Sequence, residues 1–226
     1  MKRLFFILLA TIAFISAKAQ THYVPHVWIG GHAGFTMSEM SFSPSVKQAM
    51  TNGFTAGASF RFAEERHVGI IAELNLSQRG WKEDFEEAPF SYSRTLTYIE
   101  LPILTHIFFG SQKFKGFVNL GPVLGYMIGD NISSDFDYMN PAQVPNFPLA
   151  NRSTEQMAME IKNKFDYGIT AGIGCEFRVK RRHAFSLEAR YYFGLGNIYS
   201  SSKKDIFSAS RGTSISVSLG YLFRIK

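Results

Sequence analysis

The chain has 226 residues, a hydrophobic fraction of 46% and a formal net charge of +6, the size and apolar content of one sizeable folded domain. Lys2, Arg3 and Lys18 belong to a leader; without them, 24 − 3 = 21 basic residues face 18 acidic ones, and a balance of +3 gives no case for nucleic-acid binding. The single Cys175 excludes an internal disulfide or dithiol chemistry within one chain.

The leader comes first. Lys2 and Arg3 precede an apolar run from Leu4 to Ile15, interrupted only by Thr11, and Ala17-Lys18-Ala19 forms a small-x-small cleavage site. This is a secretory signal, and the run is too short to cross a bilayer as a helix. The expected division is a signal peptide over 1–19 and one domain over 20–226. No Cys follows the apolar run, so lipid attachment at the mature end is not expected.

After the leader the sequence alternates with a period of two, the mark of strands with two different faces. The pattern occurs at 28–37, 53–62, 68–81, 94–109, 116–129, 165–177, 185–195 and 214–223. These eight segments are mostly ten residues or longer, whereas soluble strands average about 5–6 and a tilted membrane-crossing strand needs about 9–11. The links between them alternate in length. Short ones fall at 63–67, 110–115 and 179–183, and long ones at 38–52, 82–93, 130–163 and 196–211. An up-and-down sheet then gathers every long loop at one end and every tight turn at the other. That asymmetry is expected of an outer-membrane barrel with extracellular loops and periplasmic turns, and an even strand count leaves both termini in the periplasm.

Residues 98–109, YIELPILTHIFF, show which way the faces point. Glu100, Pro102 and His106 share the parity of Tyr98, while Ile99, Leu101, Ile103, Ile107 and Phe109 take the other. An apolar face turned to lipid and a charged face turned inward account for the segment. The inward set then comprises Arg61, Glu73, Asn75, Arg79, Glu100, His106, Asp166, Glu176, Glu188 and Arg190, groups costly against hydrocarbon unless paired. Eight strands enclose only enough room for side chains, so a filled lumen is expected and an open pore is not. Pro102 and Pro122 each remove a ladder hydrogen bond and are read as bulge positions. Aromatic residues on the outward parity cluster toward both strand ends, as two interfacial girdles require.

Functional candidates are few. No Ser/His/acid set converges; Ser77 and His106 are unconnected, and no second ligand accompanies His32 or His106, so no catalytic, cofactor or metal residue is assigned. The acidic stretch KEDFEE (82–87) with Asp130, Asp135 and Asp137 lacks the spacing of a calcium loop. The long loop 130–163 is the expected contact region. Phe136, Tyr138 and Phe147 among three prolines suit an apolar-tipped surface. In STEQMAMEIKN (153–163), Ser153 and Gln156 have capping-box spacing for a short helix whose Met157 and Ile161 form an apolar stripe able to lie across the barrel mouth.

Several stretches carry a resemblance: ELNLSQRGWK (73–82), YIELPIL (98–104), NLGPVLGYMIG (119–129), FDYGITAGIGCEF (165–177), ARYYFGLGNI (189–198) and SVSLGYLF (216–223). Together they resemble the PorT-like family of small bacterial outer-membrane β-barrels. The resemblance implies an all-β, eight-stranded antiparallel up-and-down transmembrane barrel with no catalytic residues. It also implies a structural or interaction role, with accessory service in an outer-membrane protein-export system as the specific version. Many barrels end on an aromatic residue, whereas this chain ends Phe223-Arg224-Ile225-Lys226. The expected partners are outer-membrane lipid, lipopolysaccharide and other envelope or export proteins. The rival readings are an outer-membrane lipid-modifying enzyme, a soluble exported ligand-binding barrel and a diffusion pore.

Overall fold

The computed structural model describes residues 25–63, 67–86, 88–149, 152–180, 182–201 and 205–225. Residues 1–24, with the expected signal peptide, and residues 64–66, 87, 150–151, 181, 202–204 and 226 lie outside the described residues. The strands are β1 (His26–Ser43), β2 (Gln48–Ala49), β3 (Thr51–Ala63), β4 (Val68–Glu83), β5 (Tyr92–Gly110), β6 (Phe114–Ser134), β7 (Phe165–Val179), β8 (His183–Gly194) and β9 (Ala209–Arg224). All but β2 pair antiparallel with their chain neighbours, and β1 meets β9 to close an eight-stranded ring. The two-residue β2 adds only a short rung to β4 at the loop end.

The walls have the polarity expected from YIELPILTHIFF. Leu219 is 69% exposed on the outside, whereas Arg61 and Arg79 are each only 4% exposed, inside. A wall built this way is the reverse of a soluble barrel, and an apolar solvent is what makes it stable. Phe60, Phe109, Phe177, Phe185 and Tyr221 stand outward toward the turn end, and Phe35, Phe54, Phe165, Tyr191 and Phe193 toward the loop end. Among the described residues no helix is long and apolar enough to cross a membrane.

The strands run further than alternation indicates, chiefly at the loop end. β1 continues to Ser43 and β6 to Ser134, and β9 starts at Ala209. The physical reason is a change of phase. Within the apolar belt β1 presents Phe35 and Met37 outward and Thr36 and Ser38 inward. Beyond it, Glu39 and Ser41 are exposed while Met40 and Phe42 are buried. β5 does the same, with Tyr92 and Leu96 buried before the belt and Ile99, Leu101 and Ile103 exposed within it. The strands keep their period of two, but the greasy side changes face where lipid gives way to the loops.

Two local expectations are corrected. Neither proline is a bulge: Pro102 pairs with Val123 and Pro122 with Ile169 in unbroken register, and the shift in β5–β6 falls between Thr97 and Tyr98. A missing N–H removes a hydrogen bond without adding a residue, so the alternation survives it. The helix in 153–163 is a single turn, Glu155–Ala158, capped at Thr154 without a side-chain bond. The Gln156 amide donates instead to Glu83, 3.0 Å away, so no capping box forms.

Candidate functional site

Side chains from β3, β4, β5, β6, β7 and β8 meet inside the barrel in three groups. Nearest the turn end, Glu176 accepts from Arg61 and, at 2.6 Å, from Arg178 Nε. In the middle, Arg190 grips Glu73 with two bonds of 2.7 and 3.0 Å and Glu188 with two more of 2.9 and 3.1 Å. Asn75 donates to Glu73, and Asn119 joins Glu188 to His106 through bonds of 2.9 and 2.7 Å. Toward the loop end, Arg79 pairs with Glu100 at 2.8 Å and Asp166 at 3.0 Å. Its guanidinium lies between the rings of Tyr98 and Tyr192, at 4.4 and 4.1 Å, and the Tyr192 hydroxyl donates to Asp166.

All nine charged or imidazole residues assigned to the lumen from sequence thus fall in these groups. Sequence reading missed Arg178, although carrying the alternation of 165–177 one position further places it inward. It also left out the partners Asn119, Tyr98 and Tyr192, whose parity was legible but whose pairing joins different strands, next to one another for Asn119 with His106 and across the barrel for Tyr192 with Arg79.

The strands on either side of β8 explain how such bulk fits. Ser214, Ser216, Ser218 and Gly220 of β9 face in, and β7 offers Gly172 where Glu188 packs: a methyl group there would come 2.3 Å from Glu188 Oε1. Among the described residues of the ion-paired belt, cavities of about 40 and 20 Å³ remain, room for isolated waters. Ser77 lines the first, opposite Tyr98, while His106 lies eight positions further along β5, roughly 26 Å at strand rise. They form no catalytic pair.

Above the ion pairs sits an apolar cap. Met40, Phe42, Trp81, Phe85, Tyr92, Leu96, Met157, Ile161, Tyr199 and Phe207 form its buried core. Loop 135–164 folds down into this core. Phe147, Met157 and Ile161 are buried and Phe136 and Tyr138 partly so: Met157 and Ile161 lie in the barrel mouth as expected of their apolar stripe, whereas the placement of the five on an exposed contact surface is corrected. Their rings and thioether complete a core that the strands alone leave open; Phe85 and Phe147, for example, meet edge to face at 5.7 Å. Hydrogen bonds latch the segment: Tyr92 to the Met157 carbonyl, Tyr199 to that of Gln156, and Arg94 to that of Met159, at 2.7–2.8 Å. Arg94 also holds Asp130 with two bonds, which places that carboxylate in an ion pair. Glu83 accepts from Trp81 and Gln156 inside the cap, and burial raises the pKa of its carboxyl above the ordinary range.

A family described as "Outer membrane protein beta-barrel domain" matches residues 18–200. A search of curated protein sequences finds no match. Among solved structures, OprG from Pseudomonas aeruginosa is similar at 9% identity and a TM-score of 0.55, over 91% of this chain and 98% of that one. Neisserial surface protein A is similar at 12% identity and a TM-score of 0.48, over 89% and 99%. Ail of Yersinia pestis, solved with a heparin analogue, gives 11%, 0.41, 87% and 99%. At such identities the likeness concerns the fold alone.

Proposed function

Because the chain belongs to the outer-membrane β-barrel domain family, we propose that it is a closed outer-membrane barrel that acts through its surfaces, without catalysis and without conducting solutes. The observation that carries this reading is the interior. Interlocked ion pairs fill the belt, and an apolar cap closes the loop end above them. Planar-bilayer recording of the refolded chain should show no unitary conductance, and regular channel openings would overturn the reading.

The reading places the loops outside the cell and both termini in the periplasm. The length contrast supports it: three residues separate β5 from β6, whereas thirty separate β6 from β7. A membrane-impermeant maleimide should label Ser201→Cys on intact cells, and Ser111→Cys only after permeabilisation, in a Cys175→Ser background. The specific role is that of an accessory in an outer-membrane protein-export system, supported by the sequence likeness to PorT-like barrels. Deleting the gene should change the set of secreted and surface proteins; an unchanged set contradicts the export role and leaves the barrel standing.

A further inference from the structure

At the turn end the barrel is not filled. A vestibule of about 470 Å³ opens there, lined by His26, His67, Lys115, Arg178 and Arg224 around Phe108, and no described carboxylate lines it. Glu176 lies just inside, with Arg61 on one oxygen and Arg178 Nε on the other. Its charge is therefore already shared between two guanidiniums.

Two of the cations are poised unusually. The Lys115 ammonium sits 4.0 Å above the Phe108 ring, on the inward face of β6, and no carboxylate among the described residues pairs with it. Arg178 stacks over Trp28 at 4.8 Å and makes its ion pair through Nε, so its terminal amino groups make no hydrogen bond within the described residues. Glu176, already divided between Arg61 and Arg178, is the carboxylate nearest these half-buried cations, and an anion between Lys115 and Arg178 relieves their remaining repulsion. A lysine as point charge beside an arginine with a planar fork suits a tetrahedral oxyanion.

We propose that this vestibule is a binding site for a phosphate group, with Lys115 and Arg178 as its principal ligands and Phe108 as its floor. The site is distinct from the lumen network, which has no room for a solute. The proposal does not depend on which membrane face the turns occupy. On the orientation given above, the source is a phosphate-bearing solute of the periplasm or the headgroup of an inner-leaflet phospholipid.

The chain carries two tryptophans, which make the test internal. Trp28 lies under Arg178, and Trp81 is sealed in the cap at the far end. The ¹⁵N-labelled full chain, refolded in a phosphate-free detergent, is titrated with inorganic phosphate at constant ionic strength while both indole resonances are followed. The Trp28 resonance should shift saturably and that of Trp81 should stay. Lys115→Gln should weaken the response at least tenfold and Lys115→Arg should largely restore it, with dispersed indole signals confirming that each variant is folded. An unsaturable shift, one reproduced by chloride (an adventitious ion only), or unchanged binding in Lys115→Gln overturns the proposal. Glu64 and Glu65 precede His67 in the chain. Binding seen only in a Glu64→Gln/Glu65→Gln variant means the vestibule neutralises itself, and overturns it too. With phosphate left out, bilayer nanodiscs containing phosphatidylglycerol should move the Trp28 resonance if the headgroup is the source. They should leave it in place if the source is a solute, and either result accompanies the shift seen with phosphate.

Discussion

The barrel encloses two cores of opposite chemistry, one above the other. In the belt the interior is ionic, with Arg79 and Arg190 each shared between two carboxylates and Glu176 shared between Arg61 and Arg178. In the cap it is apolar and aromatic, with ion pairs at Arg94–Asp130 and at Arg152–Glu83, where Glu83 also accepts hydrogen bonds from Trp81 and Gln156. The difference follows from what surrounds each part. Where the outside is apolar, the polar residues have only the inside to occupy; where the outside is wet, the apolar residues take the interior as in a soluble protein. Mutations in the two cores should therefore fail in different ways.

The largest effect belongs to the belt. Arg190→Leu removes four hydrogen bonds and leaves Glu73 and Glu188 buried beside one another. It should lower the unfolding free energy by about 3–5 kcal/mol, read from urea titration of the refolded barrel. Phe207→Ala in the cap empties a fully buried ring site that packs on Phe42 and Tyr199. A comparable ~3–5 kcal/mol is lost there, but it should appear as faster hydrogen exchange and proteolysis of loops 135–164 and 195–208, while belt amides keep their protection. Equal exposure of belt and cap would show that the two cores are one cooperative unit.

A smaller change tests the fit of ionic bulk against small residues. Gly172→Ala pushes a methyl group into Glu188 and should cost about 1–3 kcal/mol by overpacking, again by urea titration. The smallest effect is pH dependence in the cap. Burial holds the Glu83 carboxyl above its ordinary 4.5, so the folded state retains a proton that the unfolded chain has lost. The stabilisation is complete below 4.5 and is lost as pH rises through the folded value. Exchange in the cap should therefore quicken as pH rises across that window, after correction for intrinsic rates, and Glu83→Gln should remove the dependence.

These contrasts mark what the sequence can disclose. Alternation in eight segments and the lengths of their links disclosed the barrel and the lumen set, and 98–109 its inside-out polarity, because a period of two is local and each residue reports its own face. The strand ends escaped it, since the hydrophobic phase flips between Met37 and Met40 and a reading that demands constant phase stops there. The cap escaped for a different reason. Phe136, Tyr138 and Phe147 look like an apolar surface along the chain, and only the fold of the loop brings them to Phe85 and Phe90. The placing of Lys115 over Phe108 and Arg178 over Trp28 needed the closed ring.

Everything rests on the outer wall meeting hydrocarbon. In a Cys175→Ser background, a nitroxide on Leu219→Cys in lipid bilayers should be relaxed strongly by dissolved oxygen and barely by a water-soluble nickel chelate. The reverse order, with nickel the stronger relaxant at that site, would contradict the account.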